Sequence, residues 1–343
     1  MKSMQWLTNG VLGVGAALLL AGCGGNDAST SETTANANAA GETESIKVAL
    51  LTPGDINDQG WNQLGYEALQ AVEKGGAKVS HQVTKSPADQ QPALRDYADQ
   101  KYDLILCYGF EYGDRAKTVA KDFPDTKFAV VSGNVTQEPN VATIIPKLED
   151  ATYLLGMAAG GLTKSNKIGL IGGMDLPVIK STFDAFEQGA KAVNPKVEVL
   201  TNYVGNFEDQ NAGKEAAKGM ISKGADILFH NADQAGKGMF VAAKETGGKV
   251  LVFGSNRDQT SVAPDITLGS AVIEMPRAFE EVVADVKSGE FKAEFRELNL
   301  GNGGISVHWN EALKSKIPAP LMKKIDDASA KIKNGALKIK RNV

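Results

Sequence analysis

The sequence predicts an α/β protein of two doubly wound lobes. Three observations carry this. From Ile46 onward, strand-length apolar runs alternate with helix-length amphipathic segments. The runs are apolar on both alternating positions, as strands of a buried parallel sheet must be. The same order of elements then occurs a second time, with no repeat at the level of residues. A chain of 343 residues has room for two such lobes.

In the first half the predicted strands cover 46–51, 78–83, 103–108 and 127–132. Ser86-Pro87 starts one helix, with Ser as cap and Pro in the first turn. In the second half the strands cover 167–172, 196–204, 225–230 and 249–254. The helix 209–223 opens on an Asp209 cap and carries basic residues late. Segments 141–146 and 266–273 read as strands linking the halves. A helix over 276–287 follows, then an irregular β-rich stretch to Trp309. The final basic helix, about 320–333, reads as a solvated face.

The first residues fall outside this pattern. Lys2 and the short apolar run 11–20 read as a secretory signal, too short to span a bilayer. It ends in Leu20-Ala21-Gly22-Cys23, which resembles a bacterial lipobox; cleavage before Cys23 and lipidation of its thiol would follow. Residues 24–44 hold no large apolar side chain and read as a disordered tether. Cys107, in DLILCYG, has no cysteine partner within the mature fold and reads as a small buried hydrophobe.

The net charge of −4 lacks the basic excess of a nucleic-acid binder. His81, His230 and His308 are not at metal-ligand spacing with one another or with cysteine, so no metal is expected. NADQAGKG lacks the first Gly and the Ser/Thr of a phosphate-binding loop. GLIGGMD lacks the spacing of a dinucleotide fingerprint. No nucleophile–base–orienter set is visible, so neither an enzyme nor a cofactor is expected.

In open parallel sheets ligands bind beyond the carboxyl ends of the strands. The loops there are TPGDINDQGWN, YGFEYGD, SGN, GGMDLP, GNFEDQN, NADQAGK and SNRDQ. They are rich in Asp, Asn, Gln, Gly and aromatics. The loops at the other end, such as EKGGAK, TKSNK and ETGGK, have no aromatics. A cleft between the lobes follows. Trp61 and Phe207 offer flat faces and Asp55, Asn57, Asp58 and Asn62 offer edge-reading groups. Asn231, Asp233 and Gln234 face them from the second half.

DINDQGWNQLGYEAL, YGFEYGD, FPDTKFAVVSG, LLGMAAG…KIGLIGGMD and KGADILFHNADQAGKGMFVAAKE followed by FGSNRDQ resemble the basic membrane protein family of substrate-binding lipoproteins of ABC transporters. Its best-understood members are purine-nucleoside receptors. The resemblance implies a type I periplasmic-binding-protein fold, two lobes joined by three crossovers. It also implies an extracytoplasmic receptor anchored to the membrane by lipid at Cys23, a purine-like ligand and ABC permease partners. Trp61 matches the aromatic that stacks on the purine, as in a branch associated with free bases. Phe110, Glu111 and Asp114 match the second cleft loop, and Phe207 a second aromatic.

Asn256 stands where nucleoside-binding members carry a ribose-holding Asp, Asp258 follows it, and Glu274 stands where they carry Lys. Asp233-Gln234 replace a usual Gly pair. The alternatives are a sensor lipoprotein, and a receptor for a flavin- or thiamine-like heterocycle. The expected boundaries are signal 1–22, lipidated Cys and tether 23–44, N-terminal lobe 45–145 plus 276–292, C-terminal lobe 146–275 and C-terminal extension 293–343. The hinge is expected near Pro146, 257–264 and 274–276.

Overall fold

The computed structural model describes residues 45–340. The predicted signal, Cys23 and the tether lie outside the described residues. Among the described residues no helix is long and apolar enough to cross a membrane.

The strands are β1 (Lys47–Thr52), β2 (Lys78–Val83), β3 (Leu104–Cys107), β4 (Lys127–Val131), β5 (Val141–Pro146), β6 (Lys167–Gly172), β7 (Glu198–Tyr203), β8 (Ile227–Asn231), β9 (Leu251–Gly254), β10 (Thr267–Ile273), β11 (Phe295–Leu298) and β12 (Ile305–Trp309). The helices are α1 (Trp61–Lys74), α2 (Pro87–Asp99), α3 (Gly113–Ala120), α4 (Glu149–Leu162), α5 (Pro177–Val193), α6 (Gln210–Ser222), α7 (Asp233–Lys244), α8 (Met275–Ser288) and α9 (Ala319–Lys333).

They build two six-stranded sheets, ordered β11-β5-β4-β3-β1-β2 and β12-β10-β9-β8-β6-β7. Every pairing is parallel except β12 on β10. The two-lobed, doubly wound expectation is borne out. Alternation along β1 sends Val48 and Leu50 to the face covered by α1 and α8, and Ala49 and Leu51 to the face covered by α2 and α3. The edge strands β2 and β7 are half exposed and carry polar residues, as sheet edges do. Cys107 is fully buried, and burial pushes its thiol pKa far up, so it is packing and not a reactive group.

Three connections cross between the lobes. One runs from β5 into α4, one from β10 into α8, and one from β11 to β12 through residues 299–304. Segment 257–264, expected at the hinge, instead joins β9 to β10 within the second lobe. Residues 293–309, expected as part of an extension, split between the sheets, β11 to the first and β12 to the second. Both strands are edge strands of four or five residues, too short to show a clear period. Asp209 caps α6 as expected, accepting from Ala212 N at 2.9 Å. The Ser86 hydroxyl instead donates to Asp89 Oδ2 at 2.6 Å.

Candidate functional site: an interlobe cleft

A cleft of about 1330 Å³ opens between the lobes at the carboxyl ends of both sheets. It is where the strand order of the sheets reverses, beside β1 and β3 in one lobe and β6 and β8 in the other. Of the predicted residues, Asp55, Asn57, Asp58, Trp61, Asn62, Phe110, Glu111, Phe207, Asn231, Asp233, Gln234 and Asn256 line it.

Trp61 begins α1, and its ring stacks on Tyr108 with centroids 4.3 Å apart and planes at 28°. Its Nε1 donates to Tyr108 O at 3.4 Å. Tyr108 is fully buried, so the indole has a rigid back and a face left for the cleft. From the second lobe Phe207 packs against Gly173, where even a Cβ would come within 2.2 Å of the ring. Phe110, on a one-turn 3₁₀ helix, is 49% exposed. Met174 and Val178 at the opposite lip are also exposed, so three of the five large exposed hydrophobics of the described residues line this cleft.

Asp58 is held by its own lobe. Its carboxylate accepts from Gly60 N, Asn62 N, Asn62 Nδ2 and Gln63 N at 2.8–3.0 Å, satisfying first-turn N–H groups of α1 from two residues before its N-cap Gly60. Glu111 is half-buried, and that burial raises its carboxyl pKa. Three amide oxygens on the cleft wall, Asn62 Oδ1, Gln90 Oε1 and Gln234 Oε1, are buried without a protein partner. Each such acceptor costs about 1–3 kcal/mol until something donates to it.

The lobes touch around the loop before α1. Asp233 Oδ1 accepts from Trp61 N at 3.0 Å and from Asn256 Nδ2 at 3.2 Å. Lys237 Nζ donates to Asn57 O at 3.2 Å, and Gln259 Nε2 to Gln59 O at 3.0 Å. Arg257 pairs with Glu67 at 2.7 Å. Gln259 also binds His230, whose Nε2 lies 2.8 Å from Gln259 Oε1. Burial lowers the His230 pKa to about 4, so this ring is a neutral packing element behind the cleft wall.

A family model described as ABC transporter substrate-binding protein PnrA-like (Bmp) matches residues 45–343. The chain belongs to this family. The Bmp relatives align over most of their length. The ABC transporter nucleoside-binding protein BmpA of Lactococcus lactis is 28% identical over 348 residues, covering 95% of this chain and 92% of that protein. The CD4+ T-cell-stimulating antigen of Listeria monocytogenes is 30% identical over 322 residues, 87% of this chain and 88% of that protein. A solved ABC transporter solute-binding protein from Conexibacter woesei is 28% identical with a TM-score of 0.72, covering 87% of this chain and 99% of that one. Another from Aeropyrum pernix, 22% identical with a TM-score of 0.79 and covering 86% and 93%, shows the fold alone. This Bmp chain is thus an extracytoplasmic solute-binding component of an ABC transporter with a type I periplasmic-binding-protein fold.

Three predicted residues lie away from the cleft of this Bmp protein. Asp114 is exposed in the first turn of α3. Asp258 accepts from Thr260 N at 2.9 Å and lies 3.9 Å from His308 Nδ1. Glu274 accepts from Ser306 Oγ at 2.6 Å and lies 3.5 Å from His308 Nε2. The antiparallel β12, which adds Ser306 and His308 beside β10, claims both acids. Residues not singled out from the sequence also line the cleft, among them Gln90, Ser132, Met174, Val178 and Thr182. Ser132 and Met174 stand in the loops SGN and GGMDLP. The other three sit in or beside first helical turns, where no loop composition marks them.

Proposed function

We propose that this protein is a lipid-anchored receptor that closes on a purine base or nucleoside and hands it to an ABC importer. The observation that carries the ligand class is the Trp61 platform, backed by Tyr108 and facing an acceptor-rich wall. A flat ring buries apolar area there, stabilising by about 25 cal/mol per Å². Its N–H and amino groups can donate to the three unpartnered amide oxygens of the wall. Seven acids line the cleft, namely Asp55, Asp58, Glu111, Glu149, Glu208, Asp209 and Asp233, against one Lys85, which itself lies 3.8 Å from Glu208. Such a wall repels phosphate, so uncharged bases and nucleosides fit and nucleotides do not. The nucleoside-binding name of the Lactococcus lactis relative supports the same class.

The test is a thermal-shift screen of the full-length protein in detergent. Adenine, hypoxanthine, adenosine and inosine are each compared with the matching 5′-monophosphates, riboflavin and thiamine. A purine base or nucleoside should raise the melting temperature and its monophosphate should not. A shift with riboflavin or thiamine alone overturns the purine reading. The anchor is tested separately. Cys23→Ser should move the protein from the membrane fraction to the soluble or secreted fraction of the expressing cell. Unchanged membrane retention would remove Cys23 from the role.

A further inference from the structure

Asp233 is the most unusual residue of the cleft. It opens α7 with φ = 45°, the left-handed region that side chains rarely occupy. Opposite it, Gly60 approaches so closely that a Cβ there would lie 2.6 Å from Asp233 Oδ1 and 3.0 Å from its Cα. One oxygen is fully used. Oδ1 takes the Trp61 amide from the opposite lobe and the Asn256 amide from its own. The other, Oδ2, has no hydrogen bond to the described residues, while Asp233 lines the cleft. One carboxyl group therefore touches both the facing lobe and the ligand space. It also fixes the backbone of the aromatic platform itself.

Asp58 faces Asp233 from the loop before α1. Tyr108 approaches from the end of β3. Lys237, on the following turn of α7, turns its ammonium to Asn57 O. Asp58 is surrounded by four N–H donors. Asp233 has a second acid beside it and no cation bonded to it.

We propose that Asp233 is a specificity-determining residue that ties ligand recognition to lobe closure: Oδ1 holds the Trp61 amide of the opposite lobe, and Oδ2, carried as an acid O–H, donates to a hydrogen-bond acceptor on the bound ring. Burial, reinforced by the Asp58 charge, pushes the Asp233 carboxyl up to about 7, in keeping with a neutral acid in the closed cleft. The sign follows. Opening the lobes returns water to the group and lowers its pKa toward the ordinary carboxylate range. The closed, liganded form then binds the extra proton, so affinity is highest at low pH and falls as pH rises. The fall can reach one decade per pH unit between the two pKa values. The inference rests on reading the cleft as the purine site.

Two variants suit the left-handed backbone and keep the fold. Asp233→Asn keeps an acceptor for the Trp61 amide and places an amide donor toward the ligand at every pH. Asp233→Gly removes the side chain. Calorimetric titration of the full-length protein with adenine and hypoxanthine, from pH 5.5 to 8.5, should show wild-type affinity at least tenfold weaker at the upper end. Asp233→Asn should bind as tightly as wild type at pH 5.5 and stay level to pH 8.5. Asp233→Gly should bind at least tenfold more weakly at pH 5.5. A wild-type profile retained in Asp233→Asn, or full affinity in Asp233→Gly, overturns the proposal. If neither purine binds wild type at any pH, the purine reading fails, and X-ray scattering of the unliganded proteins decides the closure claim. Wild type should expand with pH while Asp233→Asn stays compact; equal, pH-independent dimensions overturn it.

Discussion

Replacing Trp61 by alanine should shrink the ligand-induced thermal shift and weaken purine binding by about fivefold to 150-fold. Stacking a base on an aromatic side chain is worth about 1–3 kcal/mol by alanine substitution, which converts to that range. The structure argues for the upper part of it. The indole is already stacked on buried Tyr108 at 4.3 Å and tied to Tyr108 O, so little ordering remains to be done when a ligand arrives. Its main-chain amide is the group that Asp233 holds across the cleft, and alanine leaves that bond in place. The loss is therefore one of platform, not of closure. Trp61→Phe should keep most of the affinity, because a phenyl ring still covers Tyr108 and presents a face. Calorimetry on both variants separates the two roles of this residue. Unchanged affinity in Trp61→Ala would mean that the indole only packs the start of α1 against the sheet.

How far the site could be read from the sequence depended on what sets each feature. Strand runs such as KVALLT and LILC are apolar on both faces because both faces are covered, and that leaves a legible record. The loops after β1, β3, β6, β7, β8 and β9 were found by composition, since polar and aromatic residues gather where the lobes face each other. Composition says nothing about which way a side chain turns. Asp58 faces the cleft, yet four N–H groups at the start of α1 occupy its carboxylate. Asp258 follows from its place in the loop SNRDQ, and Glu274 from the family resemblance alone. The chain that claims them, β12, arrives from residues 305–309 across a lobe crossing. The left-handed backbone at Asp233 leaves no trace in composition at all. It stands against Gly60, a residue more than 170 positions earlier.

Gly189→Ala should destabilise the protein by about 2–3 kcal/mol, although alanine is the better helix former by about 1 kcal/mol. The sign is set by a close helix crossing. Gly189 lies inside α5, and a Cβ built on it would stand 1.9 Å from Tyr153 O and 3.1 Å from Met157 N on α4. Gly156 and Gly160 of α4 meet Phe186 O and Ala190 O of α5 at 2.0 and 2.3 Å in the same way. Three glycines thus let two backbones meet along one seam, and no flexible side-chain end is available to give way. An added methyl must part the helices by more than an ångström and loosen the packing of Phe186 beneath them. Gly219→Ala in α6 is the matched control, because a Cβ there meets nothing within 4 Å. That variant should gain about 0.5–1 kcal/mol from helix propensity alone. Thermal or urea unfolding of the two variants should therefore move in opposite directions, and parallel shifts would show that the seam is not under this constraint. The effect should also reach the ligand. α4 follows directly from the β5 crossover and α5 carries Ser181 and Thr182 into the cleft, so parting them shifts one wall relative to the hinge. Gly189→Ala should lower purine affinity even at temperatures where it remains folded, while Gly219→Ala leaves it unchanged.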